Sequence, residues 1–325
     1  MNPETLVQVK QLRKFFAIRA GAKSPFRKSL VRAIDGVDLD IIRGETLGLV
    51  GESGCGKTTL GRCILRLTGI TSGQIFFESR DITRLPKRDM RLLRKNMQII
   101  FQDPFSSLDP RMKVGDIVGQ PLNVFKHRGS SPKRERVAEL LVAVGLEADH
   151  MKRYPHEFSG GQRQRIAIAR SLVLNPQFII ADEPVSALDV SIRAQILNLM
   201  RDLKSQFTLT YLYISHDLST VKFISDRVAV MYMGKMVETA PVKALFEKPL
   251  HPYTRALMEA VPIPNPLLRK DRQRMKGEPP SPISPPSGCR FHPRCPRAMR
   301  VCEKDEPGQT RIGPDRQVAC HLPLG

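Results

Sequence analysis

No apolar run in this chain approaches the roughly 18–20 residues that a bilayer span needs. The N-terminus, Met1-Asn2-Pro3-Glu4, has no basic-then-apolar leader, so the chain is expected to be made and kept in the cytosol. No block of five or more basic residues occurs, although Lys and Arg total 52 against 32 Asp and Glu, for a net charge of +20. None of the compact RNA- or DNA-binding modules is present. The charge therefore fits a scattered solvated surface, or apposition to an anionic membrane, better than a nucleic-acid face. A tight Cys-x2-Cys knuckle is also missing. The six cysteines form two groups instead: Cys55 and Cys63, and a C-terminal set of Cys289, Cys295, Cys302 and Cys320. In a cytosolic protein such a set suggests metal binding before disulfides. At 325 residues there is room for two domains of roughly 100–200 residues each.

What is present is led by Gly51-Glu52-Ser53-Gly54-Cys55-Gly56-Lys57-Thr58, which fits Gly-x4-Gly-Lys-Ser/Thr at every fixed position. An apolar run, Thr46 to Val50, enters it, and Thr59-Leu60 leads into a helix-like segment. Glycines let the backbone curl so that successive N–H groups face phosphate oxygens, and a helix N-terminus adds a favourable dipole. Lys57 can reach the β- and γ-phosphates of a nucleotide, and the Thr58 hydroxyl can ligate Mg²⁺.

In chain order, residues 6–18 and 33–42 read as two strands of an antiparallel layer, separated by a basic loop over 19–32. Phe16, near the end of the first strand, can stack on an adenine ring or fill a core. A short strand covers Gly73 to Phe77. Helical spacing predicts a helix over 86–97 that includes Met90, Leu93 and Met97. It predicts another over 131–145, capped by Ser131 and begun by Pro132. Between them, Ile99-Ile100-Phe101 is a strand ending at Gln102, where a group that senses ligand can project. Residues of about 86–165 thus form a helical insertion.

Three further strand or helix ends carry polar residues. Phe158-Ser159-Gly160-Gly161-Gln162 precedes a helix, with Ser159 as N-cap and glycine N–H groups exposed as a second anion site. One nucleotide could use both anion sites only if two copies faced each other. Phe178 to Ala181 is a buried-type strand ending in Asp182-Glu183. Beside a phosphate loop, Asp182 can hold the Mg²⁺ shell and Glu183 can accept a proton from an attacking water. Leu209 to Ile214 is a strand ending at Ser215-His216, and His216 can contact a γ-phosphate. Residues 227–238 read as a hairpin around Met233-Gly234-Lys235.

These residues, in this order, resemble the ATP-binding subunits of ABC transporters over roughly residues 6–250. Phe158 stands where the wider family usually has Leu. Gln102-Asp103-Pro104, the run Phe158 to Arg170, Ala181 to Asp189 and His251-Pro252-Tyr253-Thr254 are similar to the oligopeptide/dipeptide-importer branch, which includes nickel importers. The resemblance implies an α/β fold: a P-loop NTPase domain of ABC type over 1–260, with an antiparallel β subdomain and the helical insertion. A linker over 261–288, with eight prolines, would lead to a cysteine-containing extension over 289–325. It implies ATP bound by Phe16, Gly51, Ser53, Gly54, Cys55, Gly56, Lys57, Thr58 and Thr59 of one copy, and by Ser159, Gly160, Gly161 and Gln162 of another. Glu183, His216 and Gln102 would be catalytic, and Thr58, Gln102 and Asp182 would hold Mg²⁺. The implied partners are a second, paralogous ATP-binding subunit, two permease subunits and, indirectly, an extracytoplasmic solute-binding protein. Nucleic acid is not among them. The implied place is the cytoplasmic face of the inner membrane, peripherally bound.

The four C-terminal cysteines suit Zn²⁺ or a [4Fe–4S] cluster. The resemblance to tails of that branch favours the cluster, with Arg290, Arg294, Arg297 and Arg300 offsetting its charge. The competing reading is four unligated thiols packed as small hydrophobes.

Overall fold

The computed structural model describes residues 4–19, 28–103, 107–125, 132–260, 277–313 and 315–324. Its strands are β1 (Thr5–Arg19), β2 (Lys28–Ile42), β3 (Thr46–Val50), β4 (Ser72–Phe77), β5 (Arg80–Asp81), β6 (Met97–Ile100), β7 (Phe178–Asp182), β8 (Thr210–Ile214), β9 (Arg227–Tyr232), β10 (Lys235–Pro241), β11 (Thr310–Arg311) and β12 (Gln317–Val318). The chain divides into two compact units. One holds residues 1–4, 42–46 and 84–215; the other holds 5–41, 47–83 and 216–325.

In the first unit β7 lies between β6 and β8, all parallel, with Phe178 opposite Met97 on one side and Thr210 on the other. Every residue of β7 and β8 is buried, as expected of parallel strands covered on both faces. Helices at Lys87–Leu93, Val114–Val124, Lys133–Ala143, Gly160–Leu172 and Val190–Phe207 complete this unit. The Gly160–Leu172 helix buries Ile166, Ala167, Ile168, Ala169 and Leu172, so its N-terminus is held by its own apolar side.

The second unit contains an antiparallel sheet in the order β2-β1-β4-β5. Beside it, β3 pairs in parallel with β9, and β9 forms an antiparallel hairpin with β10. The C-terminal extension adds β12 to β10, with Glu238 opposite Val318 and Thr239 opposite Gln317, and β11 to β12. The buried Glu238 carboxylate anchors this edge: it accepts the Leu250 and His251 N–H groups and pairs with Arg316 at 2.8 Å.

Several local expectations change. Met97 starts a strand rather than continuing a helix: the helix ends at Leu93, and the Asn96 carbonyl already accepts the Gln177 and Phe178 N–H groups that begin the β6–β7 pairing. Sheet pairing wins over the helical spacing of Met90, Leu93 and Met97. Residues 28–32 extend β2 rather than a loop, carried by pairing along β1. The Lys133–Ala143 helix has Pro132 at its N-cap with no side-chain cap; Ser131 lies outside the described residues, as do 20–27, Pro104 and 261–276 of the linker. The Val114–Val124 helix was not anticipated, because Pro121 stands inside it. The helix expected over Arg163 to Leu174 instead spans Gly160–Leu172, so the glycines that were read as preceding it form its first turn.

Candidate functional site

The phosphate loop is shaped by contacts behind it. A Cβ on Gly51 would lie 2.1 Å from the Met231 carbonyl oxygen, and one on Gly56 would lie 2.3 Å from that of Ala33. Both residues also have positive φ, at +154° and +111°, which side chains rarely adopt. The loop can therefore sit this close to β9 and β2 only with glycine at these two positions. Gly234 N–H donates to the Cys55 carbonyl at 2.9 Å, tying the loop to the β9–β10 turn. Lys57 is buried and opens the Lys57–Ile64 helix. Its Nζ donates to the carbonyls of Gly51 at 2.7 Å and Glu52 at 2.9 Å, and lies 3.8 Å from Cys55 Sγ. Burial pushes the Cys55 thiol up, against the opposing pull of Lys57. Ser53 and Gly54 are exposed, and Thr58 and Thr59 are half-buried. Phe16 is 39% exposed, so it is no core residue, and Lys14 Nζ lies over one face of its ring, 4.5 Å from the centroid.

In the other unit the structure brings Gln102 and Glu183 together: Gln102 Nε2 donates to Glu183 Oε2 at 2.9 Å. Glu183 has φ +49°, an uncommon conformation for a residue other than glycine. Its N–H donates to the Ile214 carbonyl of β8, so the turn that aims its carboxylate is fixed by the sheet. Asp182 is buried at the last position of β7. Ser186 Oγ donates to the Glu183 carbonyl, and Arg193 donates to Leu188 and Ser186, closing the loop that follows. His216 is exposed, two residues past the end of β8, and belongs to the second unit.

Ser159 is the N-cap that was expected, and it forms a full capping box. Gln162 N–H donates to Ser159 Oγ, and Ser159 N–H donates to Gln162 Oε1 at 3.0 Å. Ser159 itself is exposed, and a Cβ on Gly160 would meet only Leu188 at an ordinary 3.5 Å.

The four C-terminal cysteines line one small cavity together with His251 and His292. None is in a disulfide. Burial and the neighbouring thiols push Cys289 up to about 11, and burial raises Cys295 and Cys320. Yet among the described residues no group of three or more Cys, His, Asp or Glu side chains could hold a metal ion. The thiols line one cavity, but among the described residues they do not form a group that could hold a metal ion, so the expected [4Fe–4S] or Zn²⁺ ligand set is not formed in this arrangement.

Sequence reasoning missed what holds Glu52. Its N–H donates to the Tyr253 hydroxyl at 2.9 Å, and its carboxylate takes the Arg294 guanidinium at 3.0 and 3.1 Å. One signal was available: an acidic residue inside an anion cradle calls for a compensating cation. Its partner lies 242 positions away, where no spacing rule reaches. His251 holds the neighbouring helix, its Nδ1 accepting the Tyr253 N–H at 3.0 Å, and burial lowers its pKa to about 3.

A glycine-cradled lysine loop, a buried strand-end aspartate and a glutamate paired with a glutamine define a P-loop nucleotide-hydrolysing domain. A family model described as "ABC transporter" matches residues 34–186, and one described as "Oligopeptide/dipeptide transporter, C-terminal region" matches 237–302. The chain is 51% identical to the oligopeptide transport ATP-binding protein AppF of Bacillus subtilis, over 99% of this chain and 98% of that one. It is 49% identical to a putative peptide import ATP-binding protein of Brucella ovis, over 98% of each chain. Among solved structures it resembles a dimeric ATP-binding cassette in a post-hydrolysis state with ADP and phosphate, at TM-score 0.64 and 29% identity, covering 73% of this chain and 99% of that one. It also resembles cbiO1 of Clostridium perfringens, at TM-score 0.65 and 27% identity, over 75% and 91%. The chain belongs to the ATP-binding subunits of ABC transporters. Among the described residues no helix is long and apolar enough to cross a membrane.

Proposed function

We propose that this chain hydrolyses ATP to energise the import of oligopeptides or dipeptides through a membrane complex. The observation that carries this reading is kinship to an oligopeptide transport subunit at 51% identity along nearly the whole of both chains.

In this reading the loop from Gly51 to Thr59 binds the phosphates, with Lys57 turning from the Gly51 and Glu52 carbonyls to the β- and γ-phosphates. Phe16 stacks on the adenine. Thr58, Asp182 and Gln102 hold Mg²⁺, which supplies positive charge to the phosphate oxygens. Glu183 accepts the proton of the attacking water, oriented by its hydrogen bond with Gln102. His216 positions the γ-phosphate. Loose phosphoryl-transfer transition states need mainly such positioning and charge stabilisation. Ser159, Gly160, Gly161 and Gln162 serve the nucleotide of a second ATP-binding subunit, a paralogue packed head to tail. Two permease subunits take up the resulting motion at the cytoplasmic face of the inner membrane, and an extracytoplasmic solute-binding protein delivers the peptide. Residues 1–260 act as the nucleotide-binding domain, 261–288 as linker and 289–325 as extension. The cysteine cavity supplies no step; iron and zinc analysis of anaerobically purified protein decides whether its thiols converge on a metal in solution.

The test is Glu183→Gln in the complex purified through a tag on this chain. Loss of a general base predicts ATP turnover lower by about 10²–10⁴-fold, with ATP still bound and peptide uptake into proteoliposomes abolished. Unchanged turnover removes Glu183 from the role of base. Uptake of nickel but not peptide by the same vesicles overturns the substrate class.

A further inference from the structure

The seven residues from Cys289 to Cys295 meet the phosphate loop at one point directly, through Glu52, and at a second through the Met233-Gly234 turn that holds it. Arg294, whose side chain is 7% exposed, places one guanidinium nitrogen within 3.1 Å of both Glu52 carboxylate oxygens and 3.4 Å from the Tyr232 hydroxyl. Arg290 is buried and bonds the Met233 carbonyl and the Asp35 carboxylate. Met233 and Gly234 form the turn whose Gly234 N–H holds the Cys55 carbonyl. Between the two arginines, Phe291 packs edge-on against Tyr232 and Tyr253, at ring-centroid distances of 5.3 and 5.4 Å. Tyr253 in turn accepts the Glu52 N–H.

Glu52 is thus fixed through its side chain by Arg294 and through its main chain by Tyr253. Its carbonyl accepts from Lys57 Nζ. A shift of Glu52 therefore moves the acceptor that sets the resting place of the lysine. The carboxylate would also repel a nucleotide's phosphates were its charge left unpaired, and Arg294 supplies the pairing.

We propose that Arg294 of the C-terminal extension is a positioning residue for ATP, acting through Glu52 to hold the phosphate loop and to neutralise its one carboxylate. The extension is then part of the ATP-binding apparatus, as a bracket behind the loop. The inference rests on the ATPase reading for its nucleotide, but not on peptide as the transported solute.

The experiment uses the full complex and measures both steady-state ATP hydrolysis and equilibrium binding of a fluorescent ATP analogue. Arg294→Met, Glu52→Gln and the double variant are compared with Arg294→Lys. Arg294→Met is expected to raise KM and the dissociation constant about fivefold, the scale of a partly buried charge pair, with kcat within about twofold. Glu52→Gln removes the charge that needs neutralising while keeping the shape. It is therefore expected to change affinity less than Arg294→Met and to rescue Arg294→Met in the double variant. Arg294→Lys should recover part of the loss, because an ammonium keeps the positive charge on a shorter, more strongly hydrated head than the one guanidinium nitrogen that meets both carboxylate oxygens. Unchanged affinity in Arg294→Met, or a double variant whose loss is the sum of the single ones, overturns the proposal. Should Arg294→Met fail to assemble, Arg294→Lys decides alone: unaltered KM together with a lowered melting temperature means a purely structural contact. The binding measurement separates the two readings, since absent turnover with intact, Arg294-dependent ATP binding defeats the ATPase assignment and leaves the bracket standing.

Discussion

The chain carries two glycine-bearing turns at helix N-termini, and they are built on opposite terms. In the phosphate loop, Gly51 and Gly56 are demanded by the fold itself, because a Cβ at either would stand about 2 Å from a backbone carbonyl oxygen. At Ser159-Gly160-Gly161 the demand is divided. Gly160 has room for a methyl group against Leu188, whereas a Cβ on Gly161 would stand 2.6 Å from Ile192 Cγ2, so Gly161 is held to glycine by a neighbouring side chain and Gly160 is not. Neither residue has positive φ. A glycine that its own chain does not need points to a need outside the chain. At Gly160 that contrast with the phosphate loop is what the proposed contact with a partner's nucleotide would require.

The sharpest way to break the comparison is to put a methyl group on each turn. Gly56→Ala meets the Ala33 carbonyl at a backbone angle unfavourable to alanine, so the loop must move. ATP binding is expected to disappear, with at least about 1–2 kcal/mol of stability lost to the left-handed conformation alone. Gly160→Ala should leave the melting temperature and the ATP affinity of the separate subunit unchanged. Turnover of the assembled complex should fall by about tenfold or more, as one precisely placed backbone donor is displaced. Isothermal binding on the subunit and ATPase assays on the complex separate the two. If Gly160→Ala unfolds the subunit, the Ser159-Gly160-Gly161 turn is as structural as the phosphate loop.

A middle-sized effect probes what stands behind the loop. His251 is buried, and its Nδ1 accepts a backbone N–H, so its charged form is excluded from the fold. Burial depresses its folded pKa to about 3, below an unfolded value of about 6.5. Between those values the unfolded chain binds the extra proton, so stability rises with pH and is lost on acidification from about pH 6.5 downward. From pH 6.5 to 5 the loss attributable to this residue is about 2 kcal/mol. Urea melts at the two pH values check it; His251→Asn, which can still accept at the cap, should flatten the slope. An unchanged slope means that another group carries the acid sensitivity.

Much of this was legible along the chain. The phosphate loop, the Asp182-Glu183 strand end, the Ser159 cap and the hairpin at Met233-Gly234 are all local patterns, and local patterns survive in sequence. Met97 was misplaced because helical spacing runs past a helix that pairing with β7 cuts short. The Val114–Val124 helix was hidden by Pro121. The bracket from Arg290 and Arg294 had no local trace: its ion pairs join residues 255 and 242 positions apart. The cysteine spacing suggested a metal, whereas spacing alone does not say whether four thiols lining one cavity also converge within it.

The smallest effect is the one most able to sharpen the comparison. Ser159→Ala removes the acceptor for Gln162 N–H and leaves the Ser159 N–H bond to Gln162 in place. An N-cap of this kind is worth about 1 kcal/mol. Here water can reach the freed donor, because Ser159 is exposed, while the helix stays anchored by Ile166 and Ile168 on its buried side. Ser159→Asn restores the cap, since its amide oxygen can accept the same bond, but presents a bulkier group to any phosphate docked there. The pair thus splits two roles of one hydroxyl. Stability should fall slightly in Ser159→Ala and recover in Ser159→Asn, whereas turnover of the complex should fall in both. Chemical denaturation of the subunit and ATPase of the assembled complex read the two axes. Full turnover in Ser159→Asn would reduce Ser159 to a cap, leaving the half-buried Gly160, Gly161 and Gln162 as the candidates for contact with a partner's nucleotide.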